Sequence, residues 1–260
     1  MSADLDFALE LAQAADSITM SHFRALDLKI DTKPDRTPVT EADTATETAL
    51  RNLIMQSLPD DGILGEEFDD VNPTASRKWV IDPIDGTRNY LRGVPVWATL
   101  IALIVDGVPS VGVVSAPALG RKWWAETGHG AHTQDIDGSV RKIGVSGISQ
   151  ISDASFSYSD HVGWERFGEQ ALTSLQNAAE RIRAYGDFWS HMMVAEGIVD
   201  FAAEPQLSPW DQAALIPVVI EAGGTMTGLE GDDVFVSKSS LTSNTHLHEA
   251  LLDLVRQSNS

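Results

Sequence analysis

The sequence predicts an α+β part over residues 1–150 and an α/β part over residues 151–260, joined at a soft boundary into one compact unit. Two observations support this prediction. The first part begins with amphipathic helical patterns and continues with β-rich segments separated by glycine turns. In the second part, short apolar strands alternate with helical patterns, which is typical of α/β proteins.

Two helices are expected to open the chain. Apolar residues recur near helical spacing at its start, which predicts an amphipathic helix over residues 4–25. A second helix should start near Thr40 and close before Pro59. Between them, residues 29–40 carry two prolines and mixed charges, which is typical of a mobile excursion.

Short strands are expected next. An apolar step at Ile63 and Leu64 precedes a buried strand over residues 79–81, which Pro83 should end at Asp82 because proline lacks a backbone donor. Two β-rich runs joined by an Asp-Gly pair then predict a hairpin, followed by further short strands; these segments are residues 97–105, 108–114 and 121–145.

The second part of the chain predicts alternating elements. Glycines and prolines mark their ends. The expected elements are a helix over 164–182, a helix over 190–195 that ends at Gly197, a strand over 199–202, and a helix over 209–222 stopped by Gly223 and Gly224.

Composition excludes several classes of function. The formal charge is −20, so no basic surplus favours nucleic acid or an anionic membrane. The absence of cysteine excludes disulfides, thiolate metal sites and a cysteine nucleophile. The most apolar stretch, residues 94–105, is too short to span a bilayer, and no signal-peptide pattern precedes it. We therefore expect a soluble, cytoplasmic protein.

The segment Asp82-Pro83-Ile84-Asp85-Gly86-Thr87 carries the strongest functional signal. It follows a buried strand, so its two carboxylates should lie at a carboxyl end, where α/β proteins bind ligands. Gly86 and Thr87 should open a short helix whose free N–H groups can bind an anion. The carboxylates could bind a metal cation and the N–H groups beside them could bind an anion. Together they would suit a phosphate group bound to a metal ion. A plain turn would explain Asp85 but not Asp82.

Three other acidic segments each have a structural explanation when taken alone. Glu66 and Glu67 could form an exposed turn, and Asp43 and Asp211 could each close a capping box at a helix start. Together, however, the four segments could converge on one cleft. Oxygen ligands without cysteine or an obvious histidine pair favour Mg²⁺ or Mn²⁺ over zinc. Two such ions can clamp a phosphoryl group and activate water.

These motifs resemble those of the inositol monophosphatase family. The similarity runs in order through nearly the whole chain, at residues 38–43, 65–67, 79–87, 210–211 and 221–224. The resemblance implies a layered αβαβα sandwich and Mg²⁺-dependent hydrolysis of a phosphate monoester. It also implies in-line attack by metal-activated water without a phosphoenzyme, a homodimer and inhibition by Li⁺.

The resemblance assigns roles position by position. It implies two or three Mg²⁺ ions per site, for which Mn²⁺ can substitute, held by Glu66, Asp82, the carbonyl of Ile84, Asp85 and Asp211. The catalytic residues would be Asp43 and Thr87, which orient the attacking water, with Glu66. Phosphate contacts would come from Asp85, Gly86 and Thr87, and Glu67 would support the site.

Substrate choice should depend on the second part of the chain. Gly186 and Asp187 stand where inositol phosphatases of the family usually have Gly-Ser-Ala or Gly-Thr-Ala. Asp187 and Glu204 would present two acids to the non-phosphate end of the substrate, which suits an ammonium or imidazolium group. The full set of expected substrate contacts is Arg183, Gly186, Asp187, Glu204 and Asp211. The pattern is similar to the histidinol-phosphate phosphatases of the family, although Phe188-Trp189-Ser190 departs from what many of them carry.

Several alternatives stay open at this point. Within the family, an inositol-1-monophosphatase or a broad sugar and polyol phosphatase is the main rival, whereas a bisphosphatase would need more basic residues than Arg181 and Arg183. A haloacid-dehalogenase phosphatase would need two acids two positions apart in the sequence, on one face of a strand, whereas Asp82 and Asp85 are three positions apart and separated by Pro83. A non-catalytic metal or phosphate-binding protein would not require the water-orienting pair.

Overall fold

The computed structural model describes residues 2–25, 30–32, 38–168 and 170–258. Its first part contains α1 (Ala3–His22), β1 (Ile30–Thr32), β2 (Pro38–Thr40), α2 (Glu41–Ser57), β3 (Gly62–Gly65), β4 (Arg77–Asp85), α3 (Thr87–Leu91), β5 (Ala98–Val105), β6 (Val108–Ala116), β7 (Arg121–Glu126), β8 (Ala131–Gln134) and β9 (Val140–Lys142). The excursion expected at residues 29–40 lies mostly outside the described residues; β1 and β2, which flank the gap, pair antiparallel.

The second part begins after a 3₁₀ turn at Ile151–Asp153. It contains β10 (Ser155–Ser157), α4 (Ala171–Ala178), β11 (Arg181–Arg183), α5 (Asp187–Ala195), β12 (Phe201–Glu204), α6 (Pro209–Ala213), α7 (Leu215–Glu221), β13 (Gly224–Thr227), α8 (Val234–Ser237), β14 (Ser240–Asn244) and α9 (His248–Ser258). None of the helices in the described ranges combines the length and the apolar character that crossing a bilayer requires.

Two sheets and three helical layers form the core. The larger sheet has the order β3-β4-β5-β6-β7-β8-β9, and the smaller has the order β11-β10-β12-β14-β13. Strand residues alternate between faces, so Ile101 and Leu103 pack against α1 and α2, whereas Leu100 and Ala102 pack toward α5, α6 and α7. Helices α4 and α9 cover the far side of the smaller sheet. The layers therefore form the expected αβαβα sandwich. Residue 150 lies between the last strand of the larger sheet and the first strand of the smaller one in the chain, and a division into two parts there stays a prediction.

Strand β4 does not end at Asp82, as its proline predicted. It continues to Asp85 across a β-bulge, because Asp82 pairs with Leu100 and Asp85 pairs with Ala98. Three steps along β4 thus oppose two steps along β5, which leaves the proline outside the regular ladder. The two aspartates of the motif, Asp82 and Asp85, therefore lie on either side of the bulge.

Two predicted helices are broken in the structure. The helix expected over residues 164–182 is a 3₁₀ turn, then α4, then β11, because Gly168 interrupts it with a φ of +94° and β11 pairs with β10. The helix expected over residues 209–222 is divided into α6 and α7. Pro217 lacks the N–H that would bond to the carbonyl of Ala213, so a continuous helix is disfavoured at this point.

Candidate active site

Three aspartates converge where β4 bulges. Asp82 and Asp85 flank the bulge, and Asp211 lies in the first turn of α6. A carboxylate oxygen from each of the three lies within 4.8 Å of the other two. Asp82 is buried, Asp85 and Asp211 are half-buried, and all three line a cavity of about 610 Å³. We refer to these residues as the aspartate cluster and to the space as the main cavity.

Each aspartate of the cluster is oriented by one backbone donor. Asp82 Oδ1 accepts the N–H of Ile84 at 2.9 Å, and Asp85 Oδ2 accepts the N–H of Phe188 at 2.9 Å. Asp211 Oδ2 accepts the N–H of Ser208 at 2.7 Å, which closes the capping box of α6. The carboxylates are thus held together by the backbone of three different segments.

The electrostatics of the cluster favour a bound cation. Burial, followed by repulsion from nearby carboxylates, raises the pKa of Asp82 and of Asp85 well above the usual value. Burial is also the main reason that the pKa of Asp211 rises to about 7. Acids this close ionise together only when positive charge lies between them. Because the cluster offers only hard oxygen donors, it fits Mg²⁺ or Mn²⁺ better than zinc.

Glu66 reaches the main cavity from the end of β3, and a buried ion pair fixes its loop. Glu47 in α2 accepts the N–H of Glu67 at 2.8 Å and the Nε of Arg51 at 2.7 Å. Arg51 also donates to two carbonyls of the same loop. A side chain at Gly65 would lie 2.0 Å from Glu47 Oε1, so this close approach requires glycine.

The start of α3 forms the adjacent wall. Gly86, with a φ of +82°, is the N-cap of this helix and supplies no side-chain cap to its first N–H groups. Thr87 Oγ1 donates to the carbonyl of Ile84 at 3.1 Å. These three residues line the main cavity beside the aspartate cluster. The start of α3 and the carboxylates therefore line the same cavity, and the binding of an anion by the N–H groups stays a prediction.

Asp43 lies in the first turn of α2. It is fully buried, and its Oδ2 accepts the N–H of Thr40 at 2.8 Å and the hydroxyl of Thr40 at 2.6 Å. The capping box considered from sequence is thus present. The Asp43 charge also contributes to the raised pKa of Asp82.

The N-terminus of α5 forms another part of the cavity wall, where Asp187 and Phe188 line the main cavity. Asp187 adopts a φ of +48°, which is uncommon for a residue with a side chain. Its Oδ2 accepts Asn89 Nδ2 at 3.0 Å. Burial raises the pKa of Asp187 to about 6, whereas the charge of Arg88 acts in the opposite direction.

A second acid faces the same space. Glu204, at the end of β12, is 5% exposed, and burial raises its pKa to about 8. Its Oε1 accepts the hydroxyl of Ser159 at 2.7 Å. Asp160 also lines the cavity, and its charge raises the pKa of both Asp187 and Glu204. This end of the cavity is therefore strongly acidic and suited to a cationic group.

Most of the predicted residues meet around this space. Those that line the main cavity are Glu66, Asp82, Ile84, Asp85, Gly86, Thr87, Asp187, Glu204 and Asp211. Gly186 lines an adjoining cavity of about 410 Å³. Neither cavity is lined by Asp43, Glu67 or Arg183. Arg183 is exposed on the edge strand β11 and donates to the carbonyl of Ile182, so the structure does not bring it to the substrate space.

Sequence reasoning missed several residues of the site. No sequence motif identified Asn89, Ser159 or Asp160. These residues come close to Asp187 only through contacts between distant parts of the chain. His191 lines the main cavity although it is buried, its Nδ1 lies 2.8 Å from Thr242 Oγ1, and burial lowers its pKa to about 4. For the ion pair of Glu47 and Arg51, the sequence offered one indication: the two residues are four positions apart in a predicted helix, where side chains can meet.

Comparisons with known proteins agree with this geometry. A family model described as "Inositol monophosphatase family" matches residues 1–260. A histidinol-phosphatase of Streptomyces coelicolor is 54% identical, over 98% of this chain and 97% of that protein. A histidinol-phosphatase of Mycobacterium tuberculosis is 52% identical, over 96% of each chain. Among solved structures, the extragenic suppressor protein SuhB of Bartonella henselae has a TM-score of 0.89 at 28% identity, with 98% of this chain and 99% of that chain covered.

Proposed function

Since the chain belongs to the inositol monophosphatase family and is a phosphoric monoester hydrolase, we propose that it is a Mg²⁺-dependent histidinol-phosphatase. It would convert L-histidinol phosphate and water into L-histidinol and phosphate, a step of histidine biosynthesis. The observation that carries this proposal is the pair Asp187 and Glu204, two acids that line the main cavity in addition to the aspartate cluster and Glu66. An acid pair at that place suits the ammonium and imidazole groups of this ester.

The metal-binding end would hold the ion through the carboxylates of the aspartate cluster, Glu66 and the carbonyl of Ile84. These are hard oxygen donors that already lie together around one space. When bound, Mg²⁺ supplies positive charge that stabilises the attacking and leaving oxygens of a phosphoryl transfer. Mn²⁺ would serve as a substitute because it accepts the same ligands.

The protein groups around the phosphate would position it and the water. Backbone N–H groups at Gly86 and Thr87 would donate to the phosphate oxygens, since no side chain caps this end of α3. Thr87 and Asp43 would orient the water for in-line attack, which is the role that the family resemblance gives them. We expect no phosphoenzyme, so rapid-quench trapping during turnover should recover no phosphorylated aspartate.

The acidic end of the cavity should control the choice of substrate. The substitution Asp187→Asn removes the negative charge of the side chain but keeps its shape. Asparagine also tolerates the positive φ of this position. We expect KM for histidinol phosphate to rise by at least about tenfold, because a hydrogen bond to a charged group is lost. KM for the uncharged inositol 1-phosphate should change less. Steady-state phosphate release with both esters measures this difference.

Asp106→Asn is the matched control for this variant. Asp106 has a φ of +49°, is exposed in the β5–β6 turn and carries the same charge, but lies in a different part of the fold. It should leave both KM values unchanged. An equal effect of Asp187→Asn on the two esters would mean that Asp187 is structural, and the specificity proposal would be wrong.

The main rival is an inositol-1-monophosphatase. A solved IMPase of Thermotoga maritima has a TM-score of 0.87 to this chain at 29% identity. The name of that structure agrees with the shared fold, whereas two relatives more than half identical to this chain are named histidinol-phosphatases. The homodimer and the cytoplasmic location stay predictions.

A further inference from the structure

Asp187 occupies a conformation that its surroundings must maintain. A φ of +48° is strained for a residue other than glycine, and such strain persists where neighbouring groups over-determine the conformation. Asp187 is the first residue of α5, directly after Gly186 at φ +86°. The conformation is held by two polar side chains from outside α5.

Asn89 in α3 provides the first of these contacts. Its Nδ2 donates to Asp187 Oδ2 at 3.0 Å and to the carbonyl of Val96 at 3.0 Å. The second bond fixes the amide, so the first holds the carboxylate in one direction. Gly86 allows this approach, because a side chain there would meet Asp187 Oδ2 at 3.2 Å. Helix α3, which begins at the proposed phosphate contacts, is thereby connected to Asp187.

Ser159 provides the second contact and joins the two acids. Its hydroxyl donates to Glu204 Oε1 at 2.7 Å and accepts the N–H of Asp187 at 2.9 Å. A hydroxyl has one proton and two acceptor sites, so both bonds are compatible. Ser159 thus lies between the backbone of one acid and the carboxylate of the other.

We propose that Asn89 and Ser159 are positioning residues for substrate specificity, which hold Asp187 and Glu204 in place to receive the cationic end of the substrate. This inference rests on the proposed function. Neither residue needs to touch the reacting phosphate. Their effect is expected in the discrimination between a cationic and an uncharged ester, because both act through carboxylates that only the cationic ester engages.

The test measures kcat/KM for histidinol phosphate and for inositol 1-phosphate with Mg²⁺, and uses their ratio. In Asn89→Leu and in Ser159→Ala, the ratio should fall about tenfold relative to the wild type, mainly through KM for histidinol phosphate. Ser159→Thr keeps the hydroxyl and should retain most of the ratio. If Asn89→Leu does not fold, as judged by circular dichroism, Asn89→Ser replaces it, since serine is too short to reach Asp187.

Two controls separate positioning from general damage. Ser110→Ala removes one serine hydrogen bond, to the carbonyl of Leu103 in the β5–β6 hairpin, and should leave the ratio unchanged. The double variant Asn89→Leu with Asp187→Asn should have the same ratio as Asp187→Asn alone, because the two residues act through one contact. Fully additive losses would overturn the inference.

The remaining outcomes distinguish this inference from the proposed function. If Asp187→Asn lowers the ratio while Asn89→Leu and Ser159→Ala leave it unchanged, the positioning inference is wrong and the proposed function stands. If the wild-type enzyme does not prefer the cationic ester, the proposed function fails, and the inference fails with it.

Discussion

Asp85→Asn is expected to lower kcat by about a thousandfold or more while the protein stays folded. Asp85 belongs to the aspartate cluster, so the loss of its charge would weaken the binding of the cation. The positive charge of that cation stabilises the transition state by several kcal/mol. Asparagine keeps the oxygen that accepts the N–H of Phe188, so the contact between β4 and α5 survives. Phosphate release with saturating Mg²⁺ and thermal melting are the two measurements.

The same substitution should not destabilise the metal-free protein. Like charges in the cluster repel one another, so removing one of them should keep or raise the metal-free melting temperature. Asp106→Asn, which removes an exposed acid, is the control for a change in overall charge. An unchanged melting temperature together with near-normal activity would contradict the metal assignment.

Removing the divalent cation should abolish activity and make stability depend on pH. The pKa of Asp211 is about 7 and that of Glu204 about 8 in the folded protein, against 3.8 and 4.5 for the free groups. Between these values the folded state binds more protons than the unfolded state, so the free energy of unfolding falls as pH rises from about 4 to about 8. After treatment with EDTA, the melting temperature at pH 8 should therefore be lower than at pH 5.

Mg²⁺ should reverse this trend because it binds the ionised cluster. At 100 times its dissociation constant it would add about 2.7 kcal/mol of stability, which corresponds to a shift of several degrees for a chain of this size. The shift should be larger at pH 8 than at pH 5, and NaCl at matched ionic strength should not reproduce it. A melting temperature that Mg²⁺ leaves unchanged at pH 8 would contradict the account.

Local sequence was sufficient for the central motif because its chemistry is contiguous. Asp82, Asp85 and Gly86 lie within five residues, and the strand before them and the helix after them both formed as expected. Only the bulge was missed, since proline was taken to end the strand. A bulge keeps the strand going and also turns both acids toward one cavity.

The two capping boxes show why local reasoning was ambiguous. Asp211 was weighed as either a helix cap or a metal ligand, and the structure supports both interpretations. One of its oxygens accepts the N–H of Ser208, while the carboxylate also lies in the aspartate cluster. A cap orients a carboxylate, so a structural explanation for such a residue does not exclude a functional one.

The substrate-facing residues could be predicted only in part. Asp187 and Glu204 were found through their positions in a family pattern. Asn89 lies 98 residues from Asp187, and Ser159 lies 45 residues from Glu204, so no periodicity or spacing connects them. Arg183 was expected among the substrate contacts as part of the same family pattern, but it is exposed on the edge strand β11.

Histidines illustrate the same limit. No pattern in the sequence marks His248 as a buried residue, yet it is only 4% exposed. Its two ring nitrogens lie within hydrogen-bond distance of Thr227 and Ser243 on neighbouring strands. These hydrogen-bond partners come together only when the smaller sheet forms, so the sequence around His248 does not reveal them.

The most direct test of the account is phosphate release with Mg²⁺ on a matched panel of esters. The panel contains histidinol phosphate, inositol 1-phosphate, fructose 1,6-bisphosphate and adenosine 3′,5′-bisphosphate. We expect kcat/KM to favour histidinol phosphate by at least about a hundredfold, or ~2.7 kcal/mol of transition-state discrimination. A flat profile, or one led by inositol 1-phosphate, would contradict the roles assigned to Asp187 and Glu204.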